Sequence, residues 1–327
     1  MTANRKKLLL PTEMAKAGWN VLADRDDIEA IAFSPETTEA ELHAELATAS
    51  GIALWGRPFR AVDVAAAPHL QAVARIGVGY DAVDVPALSA AGVPLLTAGI
   101  ANSISVAEQA MSFMFYLAKA TASMDALVRE ARWGDRYATP VWDLASRTLL
   151  IVGFGRIGTR LAARCLAMEM DVLVYDPFIA PDIITARGCT PVADLDAALP
   201  QVDIVSIHCP KSPTSIGMFG AAQFAAMKPR AWLINTARGG IVDEAALFTA
   251  LTHGQLAGAG LDVYDTEPTP KNNPLLQLPN VVSAPHMAGV TQEALDRMAI
   301  ASVRNLLSVL DGRPNAENVI NKDVLAP

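Results

Sequence analysis

The sequence predicts an α/β protein of two Rossmann-like or flavodoxin-like parallel-sheet domains, one inserted within the other. Three observations carry this. Short apolar runs alternate with helical patterns along the chain, the arrangement of parallel βαβ units. One run, Leu149 to Val152, leads straight into Gly153-x-Gly155-x-x-Gly158, the glycine pattern of a dinucleotide-binding turn. That pattern sits near residue 150 rather than at the N-terminus. The domain carrying it, residues 102–290, is therefore read as an insertion into a split domain of residues 1–101 and 291–327.

The elements follow in order. Lys7 to Leu10, Ile31 to Phe33 and Ile52 to Leu54 read as strands. Thr38 to Ala49 reads as a helix, with Thr38 as its cap and Glu39 and Glu41 in the first turn. Ala72 to Ile76 is a further strand, followed by the loop Gly77 to Asp81. Pro86 to Ala91 is a short helix ended by Gly92, and Val93 to Leu96 returns as a strand. A long helix capped by Ser103 or Ser105 follows, with Val106, Ala107, Ala110, Met111, Met114 and Leu117 at helical spacing. It is expected to cross from the first domain into the second. Thr148 to Val152 is a strand, Ile157 to Met168 a helix, and Asp171 to Asp176 the next strand. Strands are expected again at 204–207, 231–235, 257–261 and 280–283, with a helix capped by Asp243 between the second and third. A helix from Glu293 to Leu310 leads back, and Gly312 to Pro327 closes the chain on the first domain.

Bulk properties narrow the classes of function. A length of 327 residues fits about two domains. With 52% hydrophobic and 18% charged residues, a large core is available and disorder is disfavoured. A net charge of −8 argues against nucleic-acid or anionic-membrane binding through bulk attraction. The three cysteines, Cys165, Cys189 and Cys209, form no C-x-x-C pair. They therefore point to neither a disulfide framework nor a metal site. Leu8-Leu9-Leu10 is too short for a signal segment and no run reaches membrane-spanning length. Reduced thiols and no targeting signal read as cytoplasmic.

The glycines have separate roles. Gly153 allows the tight turn, Gly155 lets backbone approach a pyrophosphate, and Gly158 lets helix and strand pack closely. The helix start then directs N–H groups and its positive dipole end at phosphate. Asp176 lies 18 residues past Gly158, where a carboxylate can accept hydrogen bonds from an adenosine ribose and would repel a 2′-phosphate. Tyr175-Asp176-Pro177 has no adjacent Arg, so NAD is expected over NADP.

Ligands in open α/β sheets lie outside the carboxyl ends of strands. Arg238, Asp262, Glu267 and His286 all fall just after such ends. A keto acid reduced by a nicotinamide needs its carboxylate and carbonyl held and a proton delivered. Arg suits the first through its planar, permanently charged fork. His suits the second, because its pKa lies near working pH, and a neighbouring carboxylate favours the imidazolium.

The chain resembles the D-isomer-specific 2-hydroxyacid dehydrogenases, of the phosphoglycerate dehydrogenase-like or glyoxylate/hydroxypyruvate reductase-like kind. The resemblance rests on Arg75-Ile-Gly-Val-Gly-Tyr-Asp81, Ser105-Val-Ala-Glu108, the glycine pattern, Asn235 to Asp243, Gly260 to Tyr264 with Glu267-Pro268, and Pro285 to Gly289. It implies that Arg238, Glu267 and His286 are the catalytic residues and that backbone around Val78 and Gly79 binds the substrate carboxylate. It implies that Asp262 contacts the nicotinamide amide, and that Arg156, Ile157, Pro210, Thr236 and Ala237 line the cofactor. It further implies a homodimer through the cofactor domain. Formate dehydrogenases carry Gln where this chain has Glu267, so Glu267 points to proton-coupled hydroxy-acid chemistry. Phosphoglycerate dehydrogenases usually carry Arg-Ser after the third strand. Here the Arg position is Trp55, with Arg57 and Arg60 nearby. An NAD-sensing, corepressor-like interaction protein resembles the same family and is the rival reading.

Overall fold

A computed structural model describes residues 5–325. The chain divides into two compact units, one of Met1–Asn102 and Val290–Pro327, the other of Ser103–Gly289. The long helix, Ser103–Ala118, begins the second unit and does not cross into it, because the boundary falls at its first residue.

The first unit holds a five-stranded sheet of β1 (Lys6–Pro11), β2 (Ile28–Phe33), β3 (Gly51–Leu54), β4 (Ala72–Arg75) and β5 (Leu95–Leu96), in the order β2-β1-β3-β4-β5. All neighbours pair parallel, with Leu8 opposite Ala30 and Ile52 opposite Val73. Both faces of β3 and of the Leu8–Leu10 stretch of β1 are covered, which is why they read as apolar runs, while edge strand β2 leaves Glu29, Ala30 and Ala32 exposed. Leu8, Leu10, Ala53 and Ala74 pack with Met298, Val303 and Leu306 of the helix Gln292–Leu310. Leu9, Ile52, Val73 and Leu95 pack on the other face with Leu42, Leu46, Phe59 and Leu88. The helix Glu39–Leu46 starts where expected: Thr38 accepts from the Glu41 amide, and the Glu41 carboxylate accepts from the Thr38 amide. Strand β5 is shorter than the sequence suggests, since Pro94 has no N–H to donate to a ladder.

The second unit holds seven parallel strands: β6 (Thr148–Val152), β7 (Asp171–Tyr175), β8 (Thr190–Val192), β9 (Ile204–Ile207), β10 (Ala231–Asn235), β11 (Leu256–Leu261) and β12 (Val281–Ser283). Their order is β12-β11-β10-β9-β6-β7-β8. Leu149, Ile151, Val172, Val174 and Ile234 pack against Phe113 and Met114 on one face. Leu150, Val152, Val205, Leu233 and Leu261 pack against Phe224 and Leu247 on the other. The chain moves outward from β6 to β8 and then returns to the other side of β6 at β9. The crevice at such a reversal, at the carboxyl ends of the strands, is where α/β sheets take ligands. Gly153 leaves β6 and His208 leaves β9 at that point.

Candidate active site

The glycine turn is shaped by close approach. Gly153 has φ of +98°, and a Cβ there would lie 2.6 Å from the Cys209 amide nitrogen. A Cβ on Gly158 would lie 2.1 Å from the Gly153 carbonyl oxygen. These two glycines are required by the fold. A Cβ on Gly155 would meet nothing within 4 Å, so the protein itself does not demand glycine there, whereas a closely approaching pyrophosphate would. The helix Gly158–Ala167 starts at this turn. The amides of Gly155 and Ile157 donate to nothing among the described residues, which suits an anion. Arg156 is exposed beside them.

Asp176 ends β7 and is tied to the same turn. One carboxylate oxygen accepts from the Phe154 amide at 2.7 Å and the other from the Phe178 amide at 2.9 Å. Each oxygen keeps a further lone pair for another donor, and the carboxylate's direction is set by the backbone. At the neighbouring strand end, Ser206 Oγ lies 2.8 Å from His208 Nε2, and Thr236 Oγ1 lies 3.5 Å from its Nδ1. Burial pushes His208 down to about 3, so it stays neutral. Pro210 is exposed and its carbonyl accepts from Ser215 Oγ, while Thr236 and Ala237 are buried.

The ends of β10, β11 and β12 bring three charged groups together. Glu267 Oε2 lies 2.7 Å from His286 Nδ1, and Glu267 Oε1 accepts from the Tyr264 amide at 2.9 Å. The charge of Arg238 acts on both residues. An ionised Glu267 can only accept, so Nδ1 of His286 carries a proton and Nε2 is the atom left to exchange one. The hydrogen bond to Glu267 raises the His286 pKa above its usual value, against partial burial and the Arg238 charge. Partial burial alone would raise Glu267. Its hydrogen bonds to His286 and Tyr264, with the charges of His286 and Arg238, outweigh this and hold it below the usual carboxylate range.

Arg238 is half-buried and donates through Nη1 to the Ala237 carbonyl at 2.7 Å. Asn235 fixes its loop: its Nδ2 donates to the Arg238 carbonyl and its Oδ1 accepts from the Ala237 amide. Asp262 is 1% exposed and holds the His286 turn. Its carboxylate accepts from the Met287 and Ala288 amides at 2.8 and 2.9 Å, and its carbonyl accepts from the His286 amide. His286 has φ of +55°, a conformation that a β-carbon makes uncommon and that surrounding contacts must hold. Burial raises the Asp262 pKa, and the two amide bonds work against that.

A family model described as the NAD-binding domain of D-isomer-specific 2-hydroxyacid dehydrogenases matches residues 111–288. The chain belongs to that family. It is 37% identical over 264 residues to a D-3-phosphoglycerate dehydrogenase of Archaeoglobus fulgidus, covering 81% of this chain and 50% of that protein. It is 38% identical over 266 residues to a glyoxylate reductase of Thermofilum pendens, covering 80% of this chain and 77% of that one. The chain thus spans about half the length of several phosphoglycerate dehydrogenases it matches. Among solved structures, an NADPH-dependent glyoxylate/hydroxypyruvate reductase of Sinorhizobium meliloti, crystallised with NADP and malonate, superposes with a TM-score of 0.83 at 29% identity. That match covers 96% of this chain and 98% of that one.

As a member of this dehydrogenase family, the chain carries the family's NAD-binding domain, and the matched residues 111–288 lie within its second unit. In the first unit, the loop after β4 contains Val78 and Gly79. Their amides donate to nothing among the described residues. Arg75 holds the loop: Nε donates to the Gly79 carbonyl at 2.9 Å, and Nη1 donates to the Trp55 and Leu54 carbonyls at 3.0 and 3.2 Å. Sequence reasoning did not find the holding role of Arg75, Asn235, the Tyr264 amide or Asp262. Asn235 and the Tyr264 amide act within their own turns, two or three residues on, where a local turn pattern was there to be read. Arg75 reaches Leu54 and Trp55, and Asp262 reaches Met287 and Ala288, only once folding has brought those loops to them. Arg57 lies after β3 and donates to the Thr37 carbonyl at 2.7 Å. Among the described residues, no group of three or more His, Cys, Asp or Glu is placed to hold a metal ion, and no helix is long and apolar enough to cross a membrane.

Proposed function

We propose that this dehydrogenase-family chain interconverts a small 2-keto acid and its D-2-hydroxy acid with NAD. The observation that carries the proposal is the Glu267–His286 pair under the charge of Arg238, in the same sheet as the glycine turn. The residues fit a dinucleotide: Gly155 leaves room, the Gly155 and Ile157 amides are available, and Asp176 is oriented. When bound, the nicotinamide gives or takes the hydride.

The side chains supply the rest. Arg238 pairs with the carboxylate and carbonyl of the acid through charge-assisted hydrogen bonds. The amides of Val78 and Gly79 take the carboxylate as well. In reduction, His286 Nε2 delivers a proton to the carbonyl oxygen, and in oxidation it removes the hydroxyl proton. Glu267 keeps His286 protonated and fixes its ring. Asp262 contacts the nicotinamide amide in this reading, in addition to holding the His286 turn. Arg156, Ile157, Pro210, Thr236 and Ala237 line the cofactor, and Asp176 favours NAD. Trp55 in place of Arg after β3 favours an acid without phosphate.

The assembly proposed is a homodimer through the cofactor domain. The helix Thr121–Arg129 buries none of its residues, and Val128, Trp133, Tyr137 and Val141 are at least half exposed. Such an apolar patch fits a second copy. A cytoplasmic location goes with the scattered, free cysteines.

The test is a screen of glyoxylate, hydroxypyruvate, pyruvate and 3-phosphohydroxypyruvate with NADH and NADPH. Turnover of a non-phosphorylated acid, with the higher kcat/KM for NADH, is expected. Turnover of none would favour the corepressor-like sensor, and a preference for NADPH would reject the reading of Asp176.

A further inference from the structure

Three loops carry the proposed reacting side chains of the second unit, with His286 on the one after β12. Of the other two, one follows β10 and bears Arg238, and one follows β11 and bears Glu267. They are in contact: a Cβ on Gly239 would lie 1.9 Å from the Tyr264 carbonyl oxygen. One side chain ties them. Asp265 Oδ1 accepts from the Gly240 amide at 2.6 Å, a short bond to a charged acceptor. The Asp265 amide donates to Glu244 Oε1 at 2.6 Å, and Glu244 Oε2 accepts from Asn273 Nδ2 at 2.9 Å. Glu244 is the first residue of the helix Glu244–Thr252, so the tie is anchored to a rigid element. From Arg238 the connection runs two residues to Gly240, across one hydrogen bond to Asp265, and two residues on to Glu267. Next to Asp265, the Tyr264 amide holds Glu267 Oε1.

We propose that Asp265 is a positioning residue that couples the Arg238 loop to the Glu267 loop, with Glu244 as its anchor. The inference rests on the dehydrogenase reading above. Asp265 is exposed. Its carboxylate is therefore not needed to fill the interior, and its position is explained by what it joins. Hydrogen bonds to loops of this kind matter because small displacements of reacting groups are costly: a shift of about 1 Å can cost on the order of a hundredfold in rate.

The experiment compares the full chain with Asp265→Ala and Asp265→Asn, which carry the same charge change. Only Asn keeps an acceptor for the Gly240 amide. Three quantities are measured: melting temperature, steady-state reduction of the best keto acid with NADH, and the titration of the His286 imidazole by NMR. Asp265→Ala is expected to melt within about 3 °C of the parent and to lose roughly tenfold in kcat/KM. Its His286 midpoint should fall, because Glu267 raises that midpoint more than Arg238 lowers it. Asp265→Asn should recover most of both. Parental kinetics and titration in Asp265→Ala, or an equal loss in Asp265→Asn, overturn the proposal. The titration needs no turnover, so a parent inactive on every keto acid would refute the dehydrogenase reading while the His286 midpoints still decide the role of Asp265.

Discussion

Arg75 in the first unit and Asp262 in the second each hold a strand-end loop in shape, with opposite charge. Arg75 gathers the carbonyls of Leu54, Trp55 and Gly79. Asp262 gathers the amides of Met287 and Ala288, as Asp176 and Asp265 gather those of Phe154 and Gly240. The choice decides what each loop has left to offer. A cation that takes carbonyls leaves amides, and those of Val78 and Gly79 suit an anion. Carboxylates that take amides fix a turn without adding a competing donor. The His286 imidazole, set in its turn by Asp262, then pairs with Glu267 alone among the hydrogen-bonding side chains described. On the proposed chemistry, the first arrangement serves binding of the acid and the second serves proton transfer, so different kinetic constants should respond.

The largest effect is expected at the proton-transfer end. His286→Ala should lower kcat for keto-acid reduction by roughly a thousandfold, within the range for loss of a general acid. NADH affinity, measured by fluorescence titration, should hold within about twofold, since His286 lies outside the glycine turn. Near-parental turnover would remove His286 from the mechanism and break the contrast between the units.

A smaller effect is expected at the anion-binding end. Arg75→Ala leaves the Trp55 and Gly79 carbonyls without their cation, and the loop of Val78 and Gly79 loses its hold. The KM for the keto acid should rise about tenfold, the worth of one charged hydrogen bond, with kcat changed far less. Arg75→Lys should recover part of the loss. A fall in kcat at constant KM would show that the two units do not divide the work in this way.

The subtlest effect lies in pH dependence. On the proposed chemistry, reduction requires the imidazolium of His286, whose pKa Glu267 raises. Activity in that direction is therefore full below the raised pKa and declines as pH increases through it. Glu267→Gln removes the chief cause of the shift, so the declining limb of kcat/KM should move to lower pH. An unmoved limb would mean that another group controls it.

Much of the fold is legible in the chain. Thr38 and Asp243 cap their helices, and the apolar runs that become β1, β3, β6, β9 and β10 are visible without a partner. What escapes is marginal by local measures. Strand β8 is three residues with Pro191 at its middle, tolerated because it lies at the sheet edge. The helix Thr121–Arg129 has no fully buried residue, with Met124, Ala126 and Leu127 only half-buried, so its pattern has little core to report.

The candidate site divides along the same line. Arg238, Glu267 and His286 can be chosen from sequence because residue chemistry and position after a strand are local properties. The glycines at 153 and 158 are likewise written in the chain, each demanded by a backbone that passes within 3 Å of where a side chain would begin. Their partners are not. That Asp262 grips the His286 turn, that Arg75 draws two loops together, and that Asp265 reaches back 25 residues to Gly240 depends on which strands become neighbours. Strand order is set by burying both faces of each sheet, a property of the whole assembled chain that no stretch of residues carries alone.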